Sequence, residues 1–179
     1  MIEHSLQAVN LSSLSDGKFF PSPAAWEDQV LYFLLLDRFS DGQEKGYTSN
    51  DGAIVRRGST PVFQPIDGGN AEESIWKAAG QNFCGGNLHG LTSKLGYLER
   101  LGVTAIWISP IFKQVSFKET YHGYGIQNFL DVDPHFGKRD DLRTLVRTAH
   151  AHGIYVILDI ILNHTGDVFR YNPNRYWTE

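Results

Sequence analysis

The stretch NLHGLTSKLGYLERLGVTAIWISPIF, Asn87 to Phe112, decides the fold. Its first half places Leu88, Leu91, Leu95, Leu98 and Leu101 at steps of three and four, an apolar stripe along one helix face. Gly102 stands where a helix ends most readily, because glycine enters the left-handed conformation without a Cβ clash. The second half, VTAIWISPIF, is a short apolar run stopped by Pro110 and reads as a buried strand. Helix, one glycine and strand follow one another with no slack.

The same order repeats on both sides. Upstream, VLYFLLLDRF (Val30 to Phe39) is another apolar and aromatic run, too short for a comfortable helix, that ends at Asp37-Arg38. Downstream, KRDDLRTLVRTAHAHG carries a helical stripe through Leu142, Leu145, Val146 and Ala149. Asp140 and Asp141 sit near its start, where acids suit the helix dipole, and Gly153 closes it. IYVILDIIL is the third strand. Strand, helix, strand, helix, strand with such short returns implies parallel strands joined by right-handed crossovers. Long excursions, Asp37 to Gly86 and Pro110 to Gly137, follow the first two strands, so elaboration gathers at the strand carboxyl ends, where α/β barrels and doubly wound sheets build their sites. The first 29 residues are polar, broken by Pro21 and Pro23, and read as an N-terminal arm. Residues 30–179 read as the folded unit.

Composition excludes more than it selects. The chain has 179 residues, 41% apolar and 20% charged, with a formal net charge of −4, which suits one soluble domain and offers no basic stripe for nucleic acid or an anionic membrane. One cysteine, Cys84, forms no internal disulfide and fits a reducing compartment. With no basic leader followed by an apolar core and no run of membrane-spanning length, the expected location is cytoplasmic.

Several site motifs fail on their own terms. Gly85 and Gly90 have phosphate-loop spacing, but Leu91-Thr92 stands where the Lys-Ser/Thr pair is required, so a structural turn is the better use of these glycines. No Cys/His cluster has zinc spacing, His150 and His152 fall near a helix end, and no G-x-S-x-G elbow supports a serine nucleophile.

Two places carry chemistry. LDIILNH, Leu158 to His164, holds Asp159 inside an apolar run and finishes on Asn163 and His164; a lone acid there is costly to desolvate unless something pairs with it. YHGYG, Tyr121 to Gly125, crowds two aromatics and a histidine between glycines after the second strand. Packing of these rings beneath the loop and a platform for the apolar face of a sugar are both open on these residues.

VLYFLLLDRFSDG, CGGNLHGLTSKLGYLERLGVTAIWISPIF, YHGYG and LDIILNH occur in the order and context of the α-amylase family of glycoside hydrolases, with similarity to α-amylases, cyclodextrin-forming transferases and cyclomaltodextrinases. The resemblance runs from about Val30 to His164. It implies an α/β fold, the N-terminal portion of a (β/α)8 TIM barrel with about three βα units, ending after the third strand. It implies a retaining enzyme acting on α-1,4-glucans or maltodextrins, by hydrolysis or transglycosylation. Tyr124 would stack on the sugar at the cleavage site, His122 and His164 would donate to its hydroxyls, and Asp159 would pair with an arginine of a later strand. Asn163 would ligate a structural Ca²⁺, and Asp41 and Asn87 match positions of a second Ca²⁺ site in some members. Gln43 and Asn87 replace harder or more usual ligands there, and Gly125 stands where many relatives carry Trp, thinning the aromatic platform.

The family's nucleophile Asp and acid Glu lie on later strands, beyond Glu179, so this chain alone is expected to be inactive and the remainder of the barrel is its expected partner. Three strands without the rest leave an open sheet edge and an exposed apolar face. Two other readings stand beside this one: a non-catalytic carbohydrate-binding or partner-docking fragment, and a self-contained doubly wound α/β domain.

Overall fold

The computed structural model describes residues 5–12, 17, 19–61, 80, 82–116 and 120–168. A three-stranded parallel sheet forms its centre: β1 (Leu31–Leu34), β6 (Ala105–Ile108) and β9 (Tyr155–Leu158), in that order, with Leu31 opposite Ala105 and Ala105 opposite Tyr155. Four two-residue strands lie in the first excursion: β2 (Glu44–Lys45), β3 (Tyr47–Thr48), β4 (Ile54–Val55) and β5 (Thr60–Pro61). Helices α1 (Leu88–Ser93) and α2 (Leu95–Arg100) return the chain to β6. After β6, β7 (Phe112–Gln114) and β8 (Ile126–Val132) form an antiparallel pair, and α3 (Arg139–Ala151) leads into β9.

The sheet pleat sorts the side chains. Leu34, Ile106 and Ile108 point to one face and are buried, with Tyr32, Val156 and Leu158 packed beside them, against Leu88, Leu91, Leu95, Leu98, Leu145 and Ala149 of the helices. Leu31, Phe33 and Trp107 point the other way and are 50%, 47% and 39% exposed, although Phe33 and Trp107 meet edge to face at 5.3 Å. One face of the sheet is thus a core; the other is apolar and exposed at Leu31, Phe33 and Trp107, while Ala105 on that face is buried and Tyr155 lies against residues of the arm.

The expected single helix across Leu88 to Leu101 is two. Asn87 caps α1, its Oδ1 accepting the Gly90 N–H at 2.8 Å, and the helical run breaks at Lys94 (φ −110°, ψ 5°). That buried lysine turns its ammonium to Glu44 Oε2 at 2.8 Å and over the Tyr47 ring at 3.7 Å, so an ion pair accompanies the break. Leu88, Leu91, Leu95 and Leu98 keep the apolar face across it, whereas Leu101 lies beyond α2 and is 55% exposed. Gly90 is required by contact: a Cβ there would lie 2.0 Å from the Ser40 carbonyl oxygen, which is the structural use of the glycines that superficially resembled a phosphate loop.

α3 starts as its sequence directs, Asp141 accepting the Lys138 N–H at 2.8 Å, and buries Leu145 and Ala149. At its other end His150 stacks on Phe20 of the arm at 4.0 Å, while His152 contacts Glu99 at 2.6 Å. The arm therefore packs, with Trp26 and Phe20 both against Tyr155 at the start of β9. The last part of the chain, from residue 169, lies outside the described residues, as do residues 62–79 of the first excursion.

Candidate functional site

The site lies at the carboxyl ends of β6 and β9. Asp159 follows directly on β9 and its amide continues the ladder by donating to Ile108 O at 3.1 Å, so backbone pairing fixes where its side chain emerges. The 121–125 loop is delivered to the same place by the β7–β8 pair, which the sequence reading took for loop. Gly125 N donates to Gln114 Oε1 at 2.7 Å, Gly125 O accepts from Val115 N at 3.0 Å, and buried Asp133 accepts the Gln114 N–H at 2.9 Å. Gly123 permits the approach: its φ is +87° and a Cβ would sit 1.9 Å from Pro110 O.

The loop and the strand end meet in one hydrogen bond. Tyr124 OH donates to Asp159 Oδ2 at 2.9 Å. Burial first, and then this bond and the neighbouring carboxylate, push the Tyr124 phenol above its ordinary value, so it stays a neutral donor. The acid inside an apolar run therefore has a partner, and the two motifs singled out separately in the sequence form one cluster.

His122 completes the loop. The Tyr124 backbone N–H donates to His122 Nδ1 at 3.0 Å, which places the ring proton of the neutral imidazole on Nε2 and makes that atom a donor. Burial holds the imidazole below its ordinary value, favouring this neutral form. The His122 and Tyr124 rings run nearly parallel, 20° apart with centroids 5.7 Å apart.

His164 joins by a longer contact, its Nε2 3.4 Å from Tyr124 O, and Asn163 Nδ2 lies 3.4 Å from His164 Nδ1. Both residues are exposed, on the wall of a groove of about 840 Å³ that Phe112, Phe129, Ile160 and Leu162 also line. Tyr124, His122, His164, Asp159 and Asn163 are thus brought together.

Asp41 and Asn87 form a separate group near the start of α1. Asn87 Nδ2 donates to Asp41 O (3.2 Å) and Gly85 O (3.0 Å), its Oδ1 caps the helix, and Asp41 Oδ1 accepts the Gln43 N–H at 2.8 Å. Ca²⁺ takes six to eight oxygen ligands, and here the side-chain donors are engaged by the local backbone. This pair as it stands does not fit a second Ca²⁺ site. No group of three or more His, Cys, Asp or Glu residues able to hold a metal occurs among the described residues. Asn163, whose amide oxygen meets no donor among the described residues, fits a single ligand position.

Sequence reasoning missed Asp37 and Arg38 as companions of the site. Asp37 is 2% exposed and accepts from Cys84 N at 3.0 and 2.9 Å and from Gly85 N at 3.1 Å. The signal for Asp37 is an acid closing an apolar run, much as Asp159 interrupts another, whereas nothing in the sequence singles out Arg38.

A family model for the alpha amylase catalytic domain matches residues 33–176. The chain belongs to the α-amylase family. Its three parallel strands with intervening helices form part of that family's (β/α)8 barrel. The periplasmic alpha-amylase of Escherichia coli K12 is 38% identical over 156 residues, which cover 81% of this chain and 20% of that protein. Among solved structures, the alpha-amylase of Geobacillus thermoleovorans complexed with acarbose is 34% identical with a TM-score of 0.55, over 80% of this chain and 25% of that one. The cyclomaltodextrin glucanotransferase CldA is 35% identical with a TM-score of 0.58, over 82% of this chain and 28% of that one. The chain thus spans about a fifth to a quarter of these relatives' lengths.

Proposed function

We propose that this chain supplies one side of the sugar site of a retaining α-glucan-active hydrolase or transglycosylase of the α-amylase family, with α-1,4-glucan or maltooligosaccharide as substrate. The observation that carries the reading is the Tyr124 to Asp159 hydrogen bond beside His122. It holds an aromatic ring, a neutral imidazole donor and a carboxylate at the carboxyl ends of two parallel strands, the place where barrels work. A glucose ring presents an apolar C–H face to Tyr124 while its hydroxyls take up the His122 Nε2–H and the His164 imidazole. Asp159 holds Tyr124 and orients the site.

The resemblance assigns the nucleophile and the proton donor to later strands, so the acids described here hold and position sugar and none of them is given the bond-breaking role. Taken alone, the chain is accordingly proposed to turn over no maltooligosaccharide. The uncovered apolar face of Leu31, Phe33 and Trp107 supports the same view, since the remaining strands of a barrel would bury it. A Ca²⁺ at Asn163 would serve structure, with the amide oxygen taking one of its ligand positions. A reducing compartment remains the proposed location, on the single cysteine. Among the described residues no helix is long and apolar enough to cross a membrane.

Calorimetric titration of the full-length natural protein with maltooligosaccharide, together with reducing-end release, tests the reading. Binding and turnover are expected, with binding lost in Tyr124→Ala. Binding that survives Tyr124→Ala unchanged would overturn the placement of the site, and saturable binding without turnover would favour a carbohydrate-binding role.

A further inference from the structure

Arg38, just past the end of β1, is built into the site from the side opposite Asp159. Its Nε lies 3.1 Å from Asp37 Oδ2, its Nη1 donates to Cys84 Sγ at 2.7 Å, and its Nη2 donates to Asn82 O at 2.9 Å. Asp37 is in turn fixed by the Cys84 and Gly85 amides. With the edge of the guanidinium so held, its flat face is left, and that face covers Tyr121, with Cζ 4.0 Å from the ring centroid. Tyr121 meets His122 edge-on, centroids 5.3 Å apart at 77°, and His122 runs beside Tyr124. An unbroken series of contacts leads from a buried carboxylate at one strand end to Asp159 at another.

We propose that Arg38 is a positioning residue for the sugar platform: oriented by Asp37, the Asn82 carbonyl and Cys84 Sγ, its guanidinium face pins Tyr121 and so sets the His122 and Tyr124 rings against the substrate. The assignment rests on the reading of the 121–125 loop as that platform. Lysine keeps the charge but has neither the planar face nor the fork that meets three partners at once, so it is a poor substitute here. Tyr121 acts through its ring, which makes its contacts to Arg38 and His122.

The test uses the full-length natural protein with four variants: Arg38→Lys, Tyr121→Leu, Tyr121→Phe and the double variant Arg38→Lys/Tyr121→Leu. Loss of a cation–π contact of this kind predicts a rise of about 3- to 30-fold in KM for a maltooligosaccharide in the first two, with kcat changing less. Tyr121→Phe, the conservative variant that keeps the ring, is expected to show a smaller rise than Tyr121→Leu, and the double variant to be no worse than the poorer single one, because both single losses remove the same contact. A readout independent of sugar is the NMR titration of the His122 imidazole. It is expected to move up toward its ordinary value in Tyr121→Leu and Arg38→Lys as the ring loses its cover, and to stay in place in Tyr121→Phe. Additive losses in the double variant, damage from Tyr121→Phe equal to that from Tyr121→Leu, or an unmoved His122 would each overturn the proposal. Should Arg38→Lys fail to fold, half-exposed Tyr121 still carries the test through Tyr121→Leu and Tyr121→Phe. Tyr124→Ala separates the two levels: if it leaves KM unchanged while Tyr121→Leu still moves His122, the sugar reading falls and the positioning stands.

Discussion

Replacing Tyr124 by Phe and by Ala separates what its hydroxyl does from what its ring does. The hydroxyl donates to Asp159 at 2.9 Å, and both residues are half-buried, so water can partly replace the bond; a net loss of about 1 kcal/mol is expected for Tyr124→Phe. In kcat/KM for a maltooligosaccharide that is about fivefold. Tyr124→Ala also removes the ring that lies beside His122 and would lie under the sugar, about 2 kcal/mol more, bringing the loss to about a hundredfold. Steady-state kinetics on the full-length protein read both. Denaturant unfolding against pH adds an independent check on the hydroxyl. Its folded-state value is raised above 10, so its contribution to stability is whole below pH 10 and is lost as pH climbs through the folded-state value. The difference in unfolding free energy between wild type and Tyr124→Phe should therefore narrow above pH 10. Equal losses from Phe and Ala would refute the assignment of the ring to sugar stacking. A Phe variant identical to wild type at neutral pH would refute a working bond to Asp159.

His122 predicts the opposite limb. Its imidazole is held below 6.5 by burial, so it stabilises the fold above pH 6.5 and that stability is lost as pH falls through the folded-state value; His122→Gln should flatten the acid side of a plot of unfolding free energy against pH, and an unaltered slope would count against the buried neutral ring. In the core, Leu145→Ala should cost about 2–5 kcal/mol, since Leu145 is fully buried between α3 and the sheet, whereas Leu101→Ala at a 55% exposed position should stay within about 0.5 kcal/mol; thermal unfolding compares them. The two amides that the resemblance implies for Ca²⁺ should part company: Asn163→Ala is expected to abolish a Ca²⁺-dependent rise in Tm, while Asn87→Ala keeps that rise and loses about 1 kcal/mol of helix cap. A Ca²⁺ response lost in Asn87→Ala and kept in Asn163→Ala would reverse the assignment.

The fold was legible wherever one period ran without competition. The Leu88, Leu91, Leu95 and Leu98 stripe, the apolar runs of β1, β6 and β9, and the closing glycines Gly102 and Gly153 named the sheet and its helices because each was set by local sequence. Where the structure depends on partners distant in sequence, the residues alone were silent. The break between α1 and α2 accompanies Lys94 finding Glu44, with no proline or glycine at the break itself to announce it. The β7–β8 pair was hidden for a similar reason: its register is irregular between Phe112 and Gln114, and buried Asp133 and Gln114 tie it together through polar bonds that no alternation of apolar residues encodes.

The site divides along the same line. Asp159 announced itself because an acid in an apolar run has few cheap explanations, and its partner turned out to be the one aromatic loop that had also stood out. Arg38 did not, since a charged pair past a strand end is ordinary until Asn82 and Cys84 on one side and Tyr121 on another arrive from other parts of the chain to occupy its edge and its face. What connects the two acids is topological. Parallel β1 and β9 flank β6, so their carboxyl ends lie on one side of the sheet, and the loop that follows β6 runs between them. Asp37 grips that loop through Arg38 and Tyr121, and Asp159 grips it through Tyr124. On the proposed reading, a loop clamped from both neighbouring strands would give up little further conformational freedom when a sugar arrives, which is a physical reason for a platform placed after the central strand of the three.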